Sequence, residues 1–136
     1  MPASKKQPPR QPARGNNSKP VDPPPAPGGP SLRFYYSDSL HEKILDVLAK
    51  VEQAEDSTRH REALCTIVLE LAGTGMHYYY LRPLSLAKTS PVLERSARMG
   101  INGVLWVMAP VIRNVIGRMD KPHLLAVCTH IRQLMD

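Results

Sequence analysis

Ten of the chain's fourteen prolines fall within its first thirty residues, and the composition changes abruptly near Ser31. Ahead of that point stand five basic residues, Lys5, Lys6, Arg10, Arg14 and Lys19, a single acid, Asp22, and almost no large apolar side chain. Such a segment cannot bury enough apolar surface to offset the roughly 1–2 kcal/mol per residue lost on ordering a backbone, so residues 1–30 are expected to stay disordered. Beyond Ser31 the chain is dense in Leu, Ile, Val and Met at helical spacing. Residues 31–136 number 106, a length that suits one domain with one core. The expected architecture is a Pro-rich basic arm on a small all-α domain.

Charge divides unevenly between the two parts. Of the formal +6, the first thirty residues contribute five minus one, or +4, and the remainder thirteen minus eleven, or +2. An arm of this kind suits nucleic acid, an anionic membrane surface or an acidic protein face, and equally serves as a solubilising tail. Pro9 and Pro12, beside Arg10 and Arg14, have the PxxP spacing that docks on SH3-like grooves, although that spacing arises easily in a proline-rich stretch.

The two cysteines, Cys65 and Cys128, lie in apolar helical segments and read as buried thiols rather than a disulfide framework. No CxxC pair or zinc-type Cys/His spacing is present, so no metal or cofactor is expected. No apolar run follows the N-terminal lysines as a secretory signal would require, which makes the cytoplasm the expected location. A membrane span is not expected either. The longest uncharged stretch, Met99 to Ile112, is 14 residues, where a bilayer needs about 20.

Four main helices emerge from the periodicity. The first starts at a capping box, Ser39 to Glu42, carries Leu40, Ile44, Leu45, Val47, Leu48 and Val51 on one stripe, and ends near Ala54. Phe34, Tyr35 and Tyr36, just ahead of it, are expected to fold back on the bundle. The second follows the N-cap cluster Asp56-Ser57-Thr58, with Leu64, Ile67, Val68, Leu71 and Ala72 on one face. It is expected to bend near Gly75 and to stop before Pro83. The third restarts at Ser90-Pro91 and runs to about Met119, with Pro110 expected to bend it. Leu93, Ala97, Ile101, Val104, Leu105, Met108, Val111, Ile112, Val115 and Ile116 make an apolar face too broad for a surface helix, so this helix is expected to be the buried, central one. The fourth is capped by Asp120 and carries Leu124, Leu125, Val127, Cys128, Ile131, Leu134 and Met135. No strand pair is predicted, and short connections favour antiparallel neighbours.

Two surface constellations stand out. On the third helix, Arg95, Arg98, Asn102, Trp106 and Arg113 fall in a narrow sector, where guanidinium groups flanking an indole suit a phosphate, a carboxylate or a nucleobase, or else form an ordinary solvated face. Gly100 and Gly103 on the same helix hint at close helix approach. The second constellation is Tyr78-Tyr79-Tyr80 with Arg82, a composition typical of interface hot spots, of which at least one tyrosine must point outward.

Catalytic signatures are lacking. The histidines, His41, His60, His77, His123 and His130, make neither HxxxH nor HExxH, the carboxylates are scattered, and there is no GxSxG or phosphate loop. The leading expectation is a non-enzymatic helical module that binds a protein partner or itself. A nucleic-acid-associated protein, using the tail cations and the third-helix arginines, is the alternative, and a small-molecule-binding or catalytic bundle a further one.

Overall fold

The first helix, α1 (Asp38–Gln53), starts where the Ser37 hydroxyl accepts the Leu40 N–H at 3.2 Å. The cap therefore lies two residues ahead of the expected Ser39 box. Starting there places Asp38 in the first turn, where its charge complements the helix dipole. The computed structural model of the chain describes residues 28–136, and Arg33–Asp136 forms one compact unit. The tail cations and the PxxP element lie outside the described residues.

A 3-10 turn, Ser57–His60, leads directly into α2 (Arg61–Met76). Asp56 caps that turn, accepting the Thr58 N–H at 3.1 Å, and bonds to the Thr58 side chain and backbone hold its carboxyl below the usual carboxylate range. Ser57 is fully buried and donates to the Val51 carbonyl at 2.7 Å, tying the turn to α1.

The second helix does not stop before Pro83. A π turn, His77–Leu81, continues it into a short helix, α3 (Arg82–Leu86). The π turn moves the hydrogen-bond register back by one residue, so that the Arg82 N–H reaches the His77 carbonyl. Pro83 then stands in the first turn of a new segment, where a missing N–H is tolerated. The chain leaves α3 through a Schellman turn: Lys88 takes the left-handed φ of 51°, its N–H reaches the Ser85 carbonyl at 3.2 Å, and the Thr89 N–H reaches the Leu84 carbonyl at 3.2 Å.

The longest helix, α4 (Pro91–Gly117), is capped by Ser90, whose hydroxyl accepts the Leu93 N–H at 3.3 Å, and it runs without interruption through Pro110. The last, α5 (Lys121–Met135), is capped by Asp120, which accepts the His123 N–H at 3.3 Å. Among the described residues all regular structure is helical, with four main helices.

The core lies chiefly among α1, α2 and α5. Ile44, Leu48 and Val51 from α1 pack with Leu64, Cys65 and Ile67 from α2 and with Leu124, Cys128 and Ile131 from α5, and Ile116 at the end of α4 completes the cluster. Both thiols are buried and free, and burial pushes Cys65 up and Cys128 up to about 11. An ion pair between Arg132 and Glu52, with bonds of 2.7 and 3.0 Å, joins α5 to α1.

The position of α4 departs from expectation. It is an edge helix whose main neighbour is α2, so most of the face that periodicity assigns to the core has nothing against it. Only Ile101 (7% exposed) and Ile116 (4%) are buried, Ala97, Leu105 and Ile112 are half-buried, and Leu93, Val104, Met108, Val111 and Val115 face solvent. A single neighbouring helix covers only one side of α4, and the other long helices, α1 and α5, pack against each other instead. Leu134 of α5 is likewise exposed rather than packed.

Candidate interaction surface

The inner face of α4 is fixed at its middle and toward its C-terminal end. At the middle Leu105 reaches α2 opposite Gly73, where a Cβ on the glycine would stand 3.4 Å from the Leu105 methyl; the missing side chain sets how closely the two helices approach. Toward the C-terminal end Arg113 Nη1 donates to Glu62 Oε1 at 2.5 Å, bridging α4 to α2. In the last turn of α4 Ile116 enters the core, and just beyond the helix Arg61 Nε donates to the Met119 carbonyl at 2.9 Å. Lys121 then reaches back to the Ala54 carbonyl at 3.3 Å.

Held in this way, α4 turns an apolar surface to water along its whole length. Val107 is 62% exposed and Val111 59%, Val92, Leu93, Met99 and Val104 are exposed beside them, and Trp106 reaches 80%. Isolated exposed apolar residues are ordinary, but a contiguous run along one helix exceeds what monomeric surfaces usually present. Of these, the periodicity assigns Leu93, Val104 and Val111 to the core and Trp106 to the polar sector, and leaves Val92, Met99 and Val107 unassigned; the breadth of the apolar face is the signal that more than one neighbour is needed. Among the described residues, α4 is also the one helix long and apolar enough to cross a membrane by length and composition.

The polar sector on α4 is split by the structure. Asn102, Trp106 and Arg113 line a shallow trough between α4 and α2, together with Thr66, Glu70 and Leu105. Arg98 belongs to a separate depression with Arg82, His77 and Glu94, and Arg95 lines neither. All five residues are exposed, and the trough is walled by the Arg113–Glu62 pair, so one cation of the set is already engaged. The Trp106 ring is not covered by arginine stems.

The tyrosines separate as the helical angle requires. Tyr78 is half-buried, with the Phe34 ring at 6.4 Å, the Tyr35 ring at 6.1 Å and the Arg82 guanidinium 5.2 Å from its centroid, whereas Tyr79 and Tyr80 reach solvent. Phe34 packs over Gly75, where a Cβ would meet its ring at 3.5 Å, and the Tyr36 hydroxyl meets His41 Nδ1 at 3.1 Å. Thus Phe34 and Tyr36 do fold back on the bundle, while Tyr35 stays exposed. Arg82 is thereby occupied by an aromatic face instead of standing free as a hot-spot cation.

For catalysis the described residues offer little assembled chemistry. No three of His, Cys, Asp or Glu gather there as a metal site would require, and the His123–Asp120 contact at 2.5 Å is an exposed pair one turn apart. No family model, curated protein or solved structure matches the chain.

Proposed function

We propose that the protein is a non-enzymatic helical interaction module, that the outer face of α4 is its docking surface for protein, and that the basic arm adds electrostatic reach. What carries this reading is the exposure of large apolar side chains along the whole of α4 while its inner face is pinned to α2. Such a helix is apolar on too many sides to be satisfied by one neighbour, and association is the ordinary way to cover it. Two free buried thiols suit a reducing compartment, which supports the cytoplasm as its location.

The test compares two variants for partner recovery by the immobilised full chain. Val107→Asp with Val111→Asp alters the outer face, and Arg95→Ala with Arg98→Ala alters the polar sector. Proteins retained by wild type and by the arginine variant, but lost from the valine variant, are the expected result. Equal recovery by all three chains overturns the assignment of the face.

The uneven charge of the sequence supports a second reading, in which the five tail cations track phosphates. On duplex DNA the slope of log K against log salt would then be no steeper than about −4.5 and would flatten when residues 1–30 are removed. Absence of any gel shift at low salt eliminates it.

A further inference from the structure

We infer that the occupant of the α4 face is a second copy of this chain, the two α4 helices packing against each other about a two-fold axis; this rests on the reading of α4 as a protein-docking face. Along one side, the exposed Leu93, Gly100, Val104, Val107 and Val111 and the half-buried Ala97 follow one another at steps of 4, 3, 4, 3 and 4 residues from Leu93 to Val111. That alternation keeps a seam in register along a partnering helix, as in coiled coils. The seam is flanked on its inner side by Met108 and Val115 and on its outer side by the small polar Ser96 and Asn114, all exposed and none charged.

Three observations favour this chain as its own partner. First, neither the seam nor its flanking residues carry a charge, while Arg95, Arg98 and Arg113 project from the other side of the helix. A two-fold contact brings each group near its twin, so an uncharged strip is self-complementary where a charged one would repel itself. The folded part bears only +2, from thirteen basic and eleven acidic residues, and general repulsion between copies is small.

Second, the area reaches the threshold of a small dimer. Leu93, Val104, Val107, Met108, Val111 and Val115 together leave on the order of 500 Å² exposed per copy, and a specific interface needs about 1,000 Å² over both partners. Residues 1–27 contain no Leu, Ile, Phe, Tyr or Trp.

Third, the glycines differ. Gly73 and Gly75 in α2 are each explained by a neighbour, Leu105 or Phe34, whereas a Cβ at Gly100 or Gly103 would meet nothing within 4 Å. A glycine in a helix interior is unfavourable relative to alanine and calls for a reason. At Gly100, within the seam, the close approach of a second helix supplies one.

The experiment is the solution mass of the full chain by light scattering, from low to high micromolar concentration. Expected is twice the 15.2 kDa of one chain, falling two-fold for Val104→Glu with helical circular dichroism retained, and unchanged for Trp106→Glu, which lies on the other side of the helix. Val104 is the middle of the strip from Leu93 to Val115, so Val104→Cys meets its twin whichever way the helices run and should cross-link to a covalent dimer; Arg95→Cys should not. This arm needs no loss of packing, and Cys65 and Cys128 are buried and do not compete. A wild-type chain that is monomeric at every concentration overturns the second copy. If that monomer binds a hydrophobic dye through a face that Val104→Glu abolishes, and ignores lipid, the docking reading stands without the dimer. If it instead floats with uncharged phosphatidylcholine vesicles, which the basic arm does not attract, and Val104→Glu abolishes that flotation, the occupant is lipid and both readings fall.

Discussion

Helices α1 and α4 carry the same kind of sequence signal and meet different fates. On α1, Ile44, Val47, Leu48 and Val51 of the apolar stripe are buried and Leu45 alone lies exposed at 37%, because α2 lies on one side and α5 on the other. On α4, ten apolar positions are in phase and only Ile101 and Ile116 are buried, because α2 is the main neighbour. Periodicity states which face of a helix is apolar. How much of that face is covered depends on how many other helices the chain has left to place against it. An apolar surplus on an edge helix is therefore information about what lies outside the chain.

The contrast has energetic consequences, the largest in the core. Leu64→Ala removes a fully buried side chain from the α1, α2 and α5 cluster and should cost about 2–5 kcal/mol in a urea melt. Leu105→Ala should cost less, about 1–2 kcal/mol, because that side chain is half in water and is held mainly against Gly73. If Leu105 proved as costly as Leu64, α4 would be an integral core helix and its exposed face would need another explanation.

Glycine substitutions probe the same difference from the other side. Gly103→Ala places a methyl where no atom lies within 4 Å and should raise stability by about 1 kcal/mol, the helix-propensity gain alone. Gly73→Ala makes the same propensity gain but pushes on Leu105 at 3.4 Å, so its net gain should be smaller. Thermal melts of the pair measure how firmly α2 holds α4. An equal gain at both sites would mean the contact is loose.

Much of the fold could be read from local chemistry, and the parts that could not share one cause. Ser90-Pro91 and Asp120 start their helices as expected, since a cap needs only its own few residues. Ser37 displaced Ser39 because both satisfy the same rule and the structure uses the earlier one. The continuation through Pro83 was hidden because a π turn leaves no mark in apolar spacing. For the surface, Trp106 and the arginines were found by their shared angle, but their separation into two depressions depends on where α2 and α3 lie. Coverage of α4 is a tertiary property, and no helix reports its own neighbours.

Burial of the thiols adds a pH dependence confined to the well-covered part. Cys128 is raised from its ordinary 9.0 to about 11, chiefly by burial and next by the Glu52 carboxylate. The folded state thus keeps a proton that the unfolded chain releases. Stability contributed this way is complete below about pH 9 and is lost as pH rises through about 11. The urea midpoint should fall between pH 8.5 and 10.5 by more in wild type than in Cys128→Ala. A pH response identical in the two chains would show that the thiol is as accessible as in the unfolded chain.

The smallest effect is expected on the polar side of α4. Arg113 pairs with Glu62, but the two side chains are about half and two-thirds exposed, and Arg98 sits at the rim of an open depression. Exposed pairs gain little Coulomb energy in water, so Arg98→Ala with Arg113→Ala should cost about 1 kcal/mol or less. Folding should survive, since none of the buried apolar side chains is altered. The same chain should keep its association, because both arginines project away from the seam that joins Leu93 to Val111. A large loss of stability would mean that the Glu62 bridge, rather than Leu105, fixes α4 on α2. Loss of association with stability intact would move the docking surface from the apolar strip to the trough that Arg113 shares with Asn102 and Trp106.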